Sequence, residues 1–272
     1  NGVRGYLIAL LPAAMQSAEQ LARDRALGMV DLFGGVMAVP GEVVDVRDFR
    51  PFSDAERLQA EKQSLGLYLT GHPVDPHLDE LREICRNRLV DLNPDRKTQF
   101  IGGTVVSTRL MKSKRGGNTA YVVIDDKSAR IEATLFNDVY EQFRDRIKED
   151  VPIVLEGYAH VDDYNGDPTT RFRVERVLSI EDARRRFARA VEITIAAELS
   201  TSLTQVLSKV LTPYRLPEQG CGVSLIYSSA AACAHIWLGE EWRVRPADDL
   251  LRDLRSSFGA QSVRLAFLHG VH

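Results

Sequence analysis

Apolar positions recur along this chain with two different periods, and the change of period divides it. From Arg4 to Leu27 they fall at helical spacing, and Gly28 follows where a left-handed terminal residue costs glycine little. Ser53-x-x-Glu56 forms a capping box that opens a helix running to about Thr70, and Gly71 with Pro73 stops it. Asp75 and Pro76 start a second helix through Ile84 and Cys85, so residues 53–95 read as a helical pair. Beyond Pro94 the period drops to two, predicting strands over 100–111, 119–125, 129–136, 151–161 and 170–178, with one helix over 138–148. Five strands with a helix between the third and fourth is the order of the OB fold, a small, partly open Greek-key barrel. Gly102 and Gly103 suit the sharp bending of its long first strand, and Tyr164-Asn165-Gly166-Asp167 supplies the hairpin turn between the last two.

A basic helix is predicted over 181–190, carrying Arg184, Arg185, Arg186 and Arg189. The remainder reads strand 191–195, helix 199–212, strand 222–228, strand 232–238, helix 247–258 and strand 262–267. This βαββαβ order is that of the split βαβ, or ferredoxin-like, plan. The expected fold class is therefore multidomain α+β: a small helical unit, a five-stranded OB barrel and a C-terminal βαββαβ domain. The segments are 1–52, the end of a helical domain with its linker; 53–95, the helical pair; 96–180, the barrel; and 181–272, the last domain.

Length agrees with that division, since 272 residues at about 150 per domain exceed one compact core. With 44% apolar and 27% charged residues the chain is neither a disordered tract nor a disulfide miniprotein. No apolar run reaches the roughly 20 residues that span a bilayer, and the apolar patch from Tyr6 to Leu11 lacks a basic start and a cleavage site, so a cytoplasmic location without membrane contact is expected. Cys85, Cys221 and Cys233 are widely spaced and read as packing residues. A net charge of −3 argues against nucleic acid until it is segmented: residues 96–136 hold eight Lys or Arg against three Asp or Glu.

Candidate chemistry narrows on that basic segment. Asp125-Asp126 and Asp162-Asp163 sit where strands give way to turns and point to opposite faces, which suits turn formation better than a two-metal site. The six histidines form no i, i+4 pair, and His72 and His77 read as solvated residues beside a helix start. Phosphate-loop, dinucleotide and nucleophile-elbow motifs are absent, so neither a catalytic site, a metal site nor a cofactor is expected in this chain. In the barrel, inward alternation of Val122 and Ile124 sets Tyr121 outward, and inward Ile131, Ala133 and Leu135 set Arg130 and Phe136 outward. Phe172 and Val174 likewise set Arg171 and Arg173 outside, while Arg109, Lys112, Lys114 and Arg115 occupy the first strand and the loop after it. Aromatics that stack bases beside cations that follow phosphates are the means by which OB folds hold single strands. The bland alternative is a solvated basic loop beside packing aromatics, and the barrel would then be a protein-only interaction module; a self-contained OB enzyme of tRNA synthetase or nuclease type would need a motif that is absent. Residues 191–272 carry seven Lys or Arg against eight Asp or Glu, and their Trp237, Trp242, Phe258 and Phe267 suit a core with some protein-docking surface.

Leu65-Gly66-Leu67-Tyr68-Leu69-Thr70-Gly71-His72-Pro73 resembles a signature of the bacterial replicative polymerase family, the alpha subunit of DNA polymerase III. The resemblance continues through Lys114-Arg115-Gly116, Asp125-Asp126-Lys127-Ser128, Leu135-Phe136, Trp242-Arg243-Val244 and 249–255, covering nearly the whole chain in order. It implies the C-terminal binding region of that subunit, with the Mg²⁺-dependent polymerase site elsewhere in the parent protein. It implies three partners: single-stranded template DNA on the barrel, the sliding clamp (the beta subunit) on a short peptide, and the clamp-loader tau subunit on the last domain. The peptide would be Met29, Asp31, Leu32 and Phe33, the last two matching the family's terminal hydrophobic pair. Met29 stands where the family has Gln and lacks its amide hydrogen bonds, which implies a weaker contact or another register.

Overall fold

The computed structural model describes residues 2–26, 52–112, 117–163, 168–196, 203–228 and 233–267. They fall into two compact units, residues 1–72 and 73–272.

In the first unit α1 spans Gly2–Ala26 and α2 spans Asp54–Leu65. The expected capping box is formed: the Glu56 amide donates to Ser53 Oγ, and the Ser53 amide donates to Glu56 Oε2 at 2.7 Å. The α2 helix ends five residues earlier than expected, because Gly66 takes the left-handed conformation at φ 76° and its amide caps Lys62. Glu61 is buried on α2 and accepts from the Leu69 and Thr70 amides and the Thr70 hydroxyl; these bonds, the hydroxyl first, hold its carboxyl below the usual range. The helical pair expected over 53–95 falls on both sides of the division, with α3, Leu78–Ile84, in the second unit.

The second unit contains the barrel: β1 (Gln99–Lys112), β2 (Asn118–Asp125), β3 (Arg130–Leu135), α4 (Asn137–Phe143), β4 (Pro152–Asp162) and β5 (Thr169–Ser179). The strands close in the order β1-β2-β3-β5-β4, with β3 and β5 parallel. Each strand agrees with its predicted span to within one or two residues, because inward positions recur at every second residue: Val122 and Ile124, Ile131, Ala133 and Leu135, and Phe172 with Val174 are all buried. Gly102 and Gly103 serve close approach: a Cβ at Gly102 would meet the Leu81 side chain at 2.6 Å, and one at Gly103 the Asp125 carbonyl at 2.6 Å. The bulge of β1 lies beyond them, between Val105 and Ser107. Asp126 forms the expected turn, accepting from Ser128, Ala129 and Leu89; burial pushes its carboxyl up, and these bonds outweigh that and hold it below the usual range. The predicted 164–167 turn lies outside the described residues.

A second sheet follows α5 (Ile180–Phe187): β6 (Ala188–Ala196), α6 (Leu203–Leu211), β7 (Gly222–Ser228), β8 (Cys233–Trp237), α7 (Asp248–Phe258) and β9 (Val263–Phe267). The βαββαβ element order is as expected, but the ferredoxin-like strand arrangement is not formed. The sheet runs β8-β7-β6-β9 with β6 and β7 adjacent and parallel, so the first βαβ unit is not split. A ferredoxin-like sheet would place β8 internally, and all five of its residues are exposed, which only an edge tolerates. Arg189 lies in β6 rather than in the basic helix, which ends at Phe187. The predicted packing roles divide: Cys85 and Cys221 are buried, their thiols pushed up to about 12 and about 11 by burial, and Cys233 is exposed. Among the aromatics Phe267 is buried and Trp237 is 46% exposed.

Barrel and second sheet share an apolar cluster in which Leu81 and Ile84 of α3, and Cys85 just after it, meet Val154, Leu178, Phe187 and Phe267. Arg184 is buried beside it and donates to both Glu80 oxygens, at 2.7 and 2.9 Å, and to Asp248. Burial opposes its charge, and the Glu80 and Asp248 carboxylates more than restore it. His77, expected to be solvated, is half-buried there; burial lowers its pKa, and its Nδ1 meets no hydrogen-bond partner among the described residues.

Candidate nucleic-acid interface

One row of outward side chains crosses all five barrel strands in register. Arg109 on β1 lies opposite Tyr121 on β2, Tyr121 opposite Thr134 on β3, Thr134 opposite Arg173 on β5, and Arg173 opposite Tyr158 on β4. The register alone therefore sets a cation beside a ring on each side of Thr134. Arg109 Cζ sits 5.0 Å from the Tyr121 ring centroid, and Arg173 Cζ sits 4.6 Å from that of Phe136 and 5.8 Å from that of Tyr158. Phe136 is 46% exposed just beyond β3, so its ring has an open face.

Two adjoining concavities follow this row, of about 300 and 400 Å³, and share Thr134, Phe136 and His160. Arg96, Tyr158 and Arg173 complete the lining of the first; Lys112, Tyr121, Asp162 and Arg171 contribute to the second. The face holds five cations, Arg96, Arg109, Lys112, Arg171 and Arg173, against the carboxylates of Glu132 and Asp162. Arg171 is committed to both acids, at 2.9 Å each, and Arg109 approaches Glu132 at 3.7 Å. Arg173 and Lys112 make no ion pair among the described residues. His160 is partly buried, which lowers its pKa; the Asp162 charge opposes this and Arg96, Arg171 and Arg173 add to it. A neutral imidazole at pH 7 keeps both stacking and hydrogen-bonding capacity, and Nδ1 meets no partner among the described residues.

Sequence reasoning anticipated Arg109, Lys112, Tyr121, Phe136, Arg171 and Arg173, which the structure brings together. Arg130 is placed elsewhere: it shares the outward face but lies six residues along β3 from Phe136, about 20 Å, where it pairs with Asp125 at 2.7 Å. Lys114 and Arg115 lie outside the described residues, as do Met29, Asp31, Leu32 and Phe33. Arg96, Tyr158 and His160 were missed. The signal for the last two was present, since inward Gly157 and Ala159 set Tyr158 and His160 outward on β4. Among the described residues no three His, Cys, Asp or Glu side chains come together as a metal ion requires.

Residues 100–184 match the family described as OB-fold nucleic acid binding domain, and residues 206–259 match the C-terminal domain of DNA polymerase III subunit alpha. Over 267 residues, 97% of this chain, it is 40% identical to DNA polymerase III subunit alpha of Pseudomonas aeruginosa. The Escherichia coli K12 subunit is 32% identical over 269 residues. The chain spans about a fifth of the length of these relatives, 22% and 23%. Among solved structures, the SSB domain of a Synechococcus protein aligns with 32% of the chain and 98% of its own length at 21% identity and a TM-score of 0.28. The second OB-fold domain of replication protein A from Methanococcus maripaludis aligns with 35% of the chain and 94% of its own at 19% identity and the same score. With its barrel in the middle and its last domain matched by name, the chain belongs to the DNA polymerase III subunit alpha family and corresponds to that family's C-terminal region.

Proposed function

We propose that the barrel face binds single-stranded DNA as part of a replicative DNA polymerase. The observation that carries this reading is the registered row Arg109, Tyr121, Thr134, Arg173 and Tyr158, with Phe136 stacked under Arg173. Rings with an open face accept bases, and the cations between them lie where a bound strand presents phosphates. Base stacking contributes about 1–3 kcal/mol per base. Three or four phosphates neutralised correspond to a salt slope of roughly 2 to 3.

Fluorescence anisotropy of a labelled oligothymidylate, taken over a salt series, tests this. Phe136→Ala is expected to weaken binding at least about fivefold without changing the slope, since a ring carries no charge. Arg173→Ala is expected to weaken binding and lower the slope by about 0.7. Parent-like behaviour of both variants would refute the assignment.

The remaining functions follow the family. The peptide Met29, Asp31, Leu32 and Phe33 docks on the sliding clamp, and the last domain, residues 181–272, docks on the clamp-loader tau subunit. Leu32→Ala with Phe33→Ala should abolish retention by immobilised clamp, and deletion of 181–272 should abolish tau binding while sparing the clamp. Polymerisation and its Mg²⁺ belong to other parts of the parent protein, a cytoplasmic replication enzyme; this chain binds and positions.

A further inference from the structure

The second sheet presents one face that no described apolar cluster covers. Leu207, Leu211, Leu250, Leu251 and Leu254 of α6 and α7 pack on the face of Val191, Ile193, Val223 and Leu225. The opposite face carries Glu192 paired with Arg264 at 2.6 Å and, on the edge strand β8, His235 and Trp237. Edge strands are ordinarily blunted by charge or proline, and Cys-Ala-His-Ile-Trp has neither.

Trp237 is nevertheless held in place. The His235 ring lies 5.3 Å from it at 30°, and Arg189 Cζ lies 5.2 Å from its centroid. Gly222 makes room, since a Cβ there would stand 3.2 Å from the indole. Arg189 makes no ion pair among the described residues, so its charge is left for an anion. This is the barrel's own arrangement of cation on ring, repeated on another sheet.

The two are connected. From Arg173 on Tyr158, β4 leads to Glu156, whose carboxylate receives Arg176 and Arg186. Arg186 lies over Phe100, at 5.1 Å, and over Phe187, at 5.3 Å. Arg189 follows three residues later, at most about 10 Å of extended chain. Three arginines against one glutamate make this thread cationic, and the shared cluster around Phe187 fixes both sheets to one another.

We propose that a single strand of DNA held on the barrel face continues along this thread and stacks a base on Trp237. The inference rests on the barrel reading above. An apolar peptide would find Ile236 on the same edge, but it would leave Arg189 unneutralised and would not use Arg186 and Phe100.

Trp237 and Trp242 are the chain's two tryptophans, so Trp242→Phe leaves Trp237 as the sole indole, excited apart from the tyrosines at the red edge of its absorption. Labelled oligothymidylates of about 6 and about 20 nucleotides, short and long against the roughly 4–16 of one OB fold, are titrated into that variant. Anisotropy reports binding anywhere, and indole quenching reports stacking at Trp237. The long strand is expected to quench and the short one to bind without quenching. Trp237→Ala in the parent chain should weaken the long strand about fivefold or more and leave the short one unchanged, while Trp237→Phe, which keeps a ring, restores most of the affinity. Binding of the long strand with no quenching, and equally to Trp237→Ala, overturns the extension and leaves the barrel reading standing. No anisotropy change with either strand overturns both.

Discussion

Arg184 is a buried charge held by two carboxylates, Glu80 and Asp248, and replacing it by Met tests how barrel and second sheet are joined. The guanidinium is 2% exposed, the Glu80 side chain 12%, and Asp248 75%. Removing the cation leaves Glu80 buried without compensation, and breaking a buried pair in this way costs about 3–5 kcal/mol. Asp248 adds little, since an exposed partner contributes at most about 1 kcal/mol. Glu80 keeps some access to water, so the lower figure applies, about 3 kcal/mol. At roughly 2–4 °C per kcal/mol for a unit of this size, the melting temperature should fall by about 6–12 °C. Calorimetry on Arg184→Met, and on the double variant Arg184→Met with Glu80→Leu, measures it. The double variant should recover half or more of the loss, because it removes the orphaned carboxylate and adds apolar contact to the cluster around Leu81 and Phe187. A single variant within 1 kcal/mol of the parent, or a double variant less stable than the single, would refute this account of the junction.

Gly157→Ala should destabilise at the upper end of the roughly 1–3 kcal/mol range for overpacking, since a Cβ there would stand 2.0 Å from the Arg173 carbonyl; Gly66→Ala, with open space at φ 76°, should cost only about 1–2 kcal/mol, both read by urea denaturation. His77 and His160 have folded pKa values below the usual 6.5 because burial disfavours the imidazolium. The unfolded chain then binds protons first, so stability is full above about pH 6.5 and declines as pH falls toward the folded pKa values. NMR titration of the ring protons should place both midpoints below 6.5, and a midpoint above it for either would contradict the burial argument. Of the three cysteines only Cys233 should react promptly with a thiol reagent in the native protein; Cys85 and Cys221 should react on unfolding.

The sequence made the barrel legible because β2, β3 and β5 alternate, so Val122, Ile124, Ala133 and Phe172 announce both element and face. Alternation states which face a residue takes and not how far along the strand it sits, which is why Arg130 was grouped with Phe136 and lies about 20 Å from it. Tyr158 and His160 were overlooked because β4 opens on an apolar run, Ile153, Val154 and Leu155, of which Val154 packs outward against α3 and obscures the period. In the last domain the element order survives either arrangement of the sheet. A hairpin from β7 to β8 can place β8 inside or at the edge, and only its full exposure decides. The cross-strand row itself needs register, which depends on the bulges between Val105 and Ser107 and beside Gly157, and local sequence does not encode those pairings.

The central claim is that this row forms the DNA-binding face, and chemical-shift mapping of the chain with a short oligothymidylate addresses it most directly. The account predicts that the largest perturbations fall on Arg109, Tyr121, Thr134, Phe136, Tyr158, His160 and Arg173, residues from all five strands and the end of β3. Perturbations confined to another surface, or none at low salt, would contradict it.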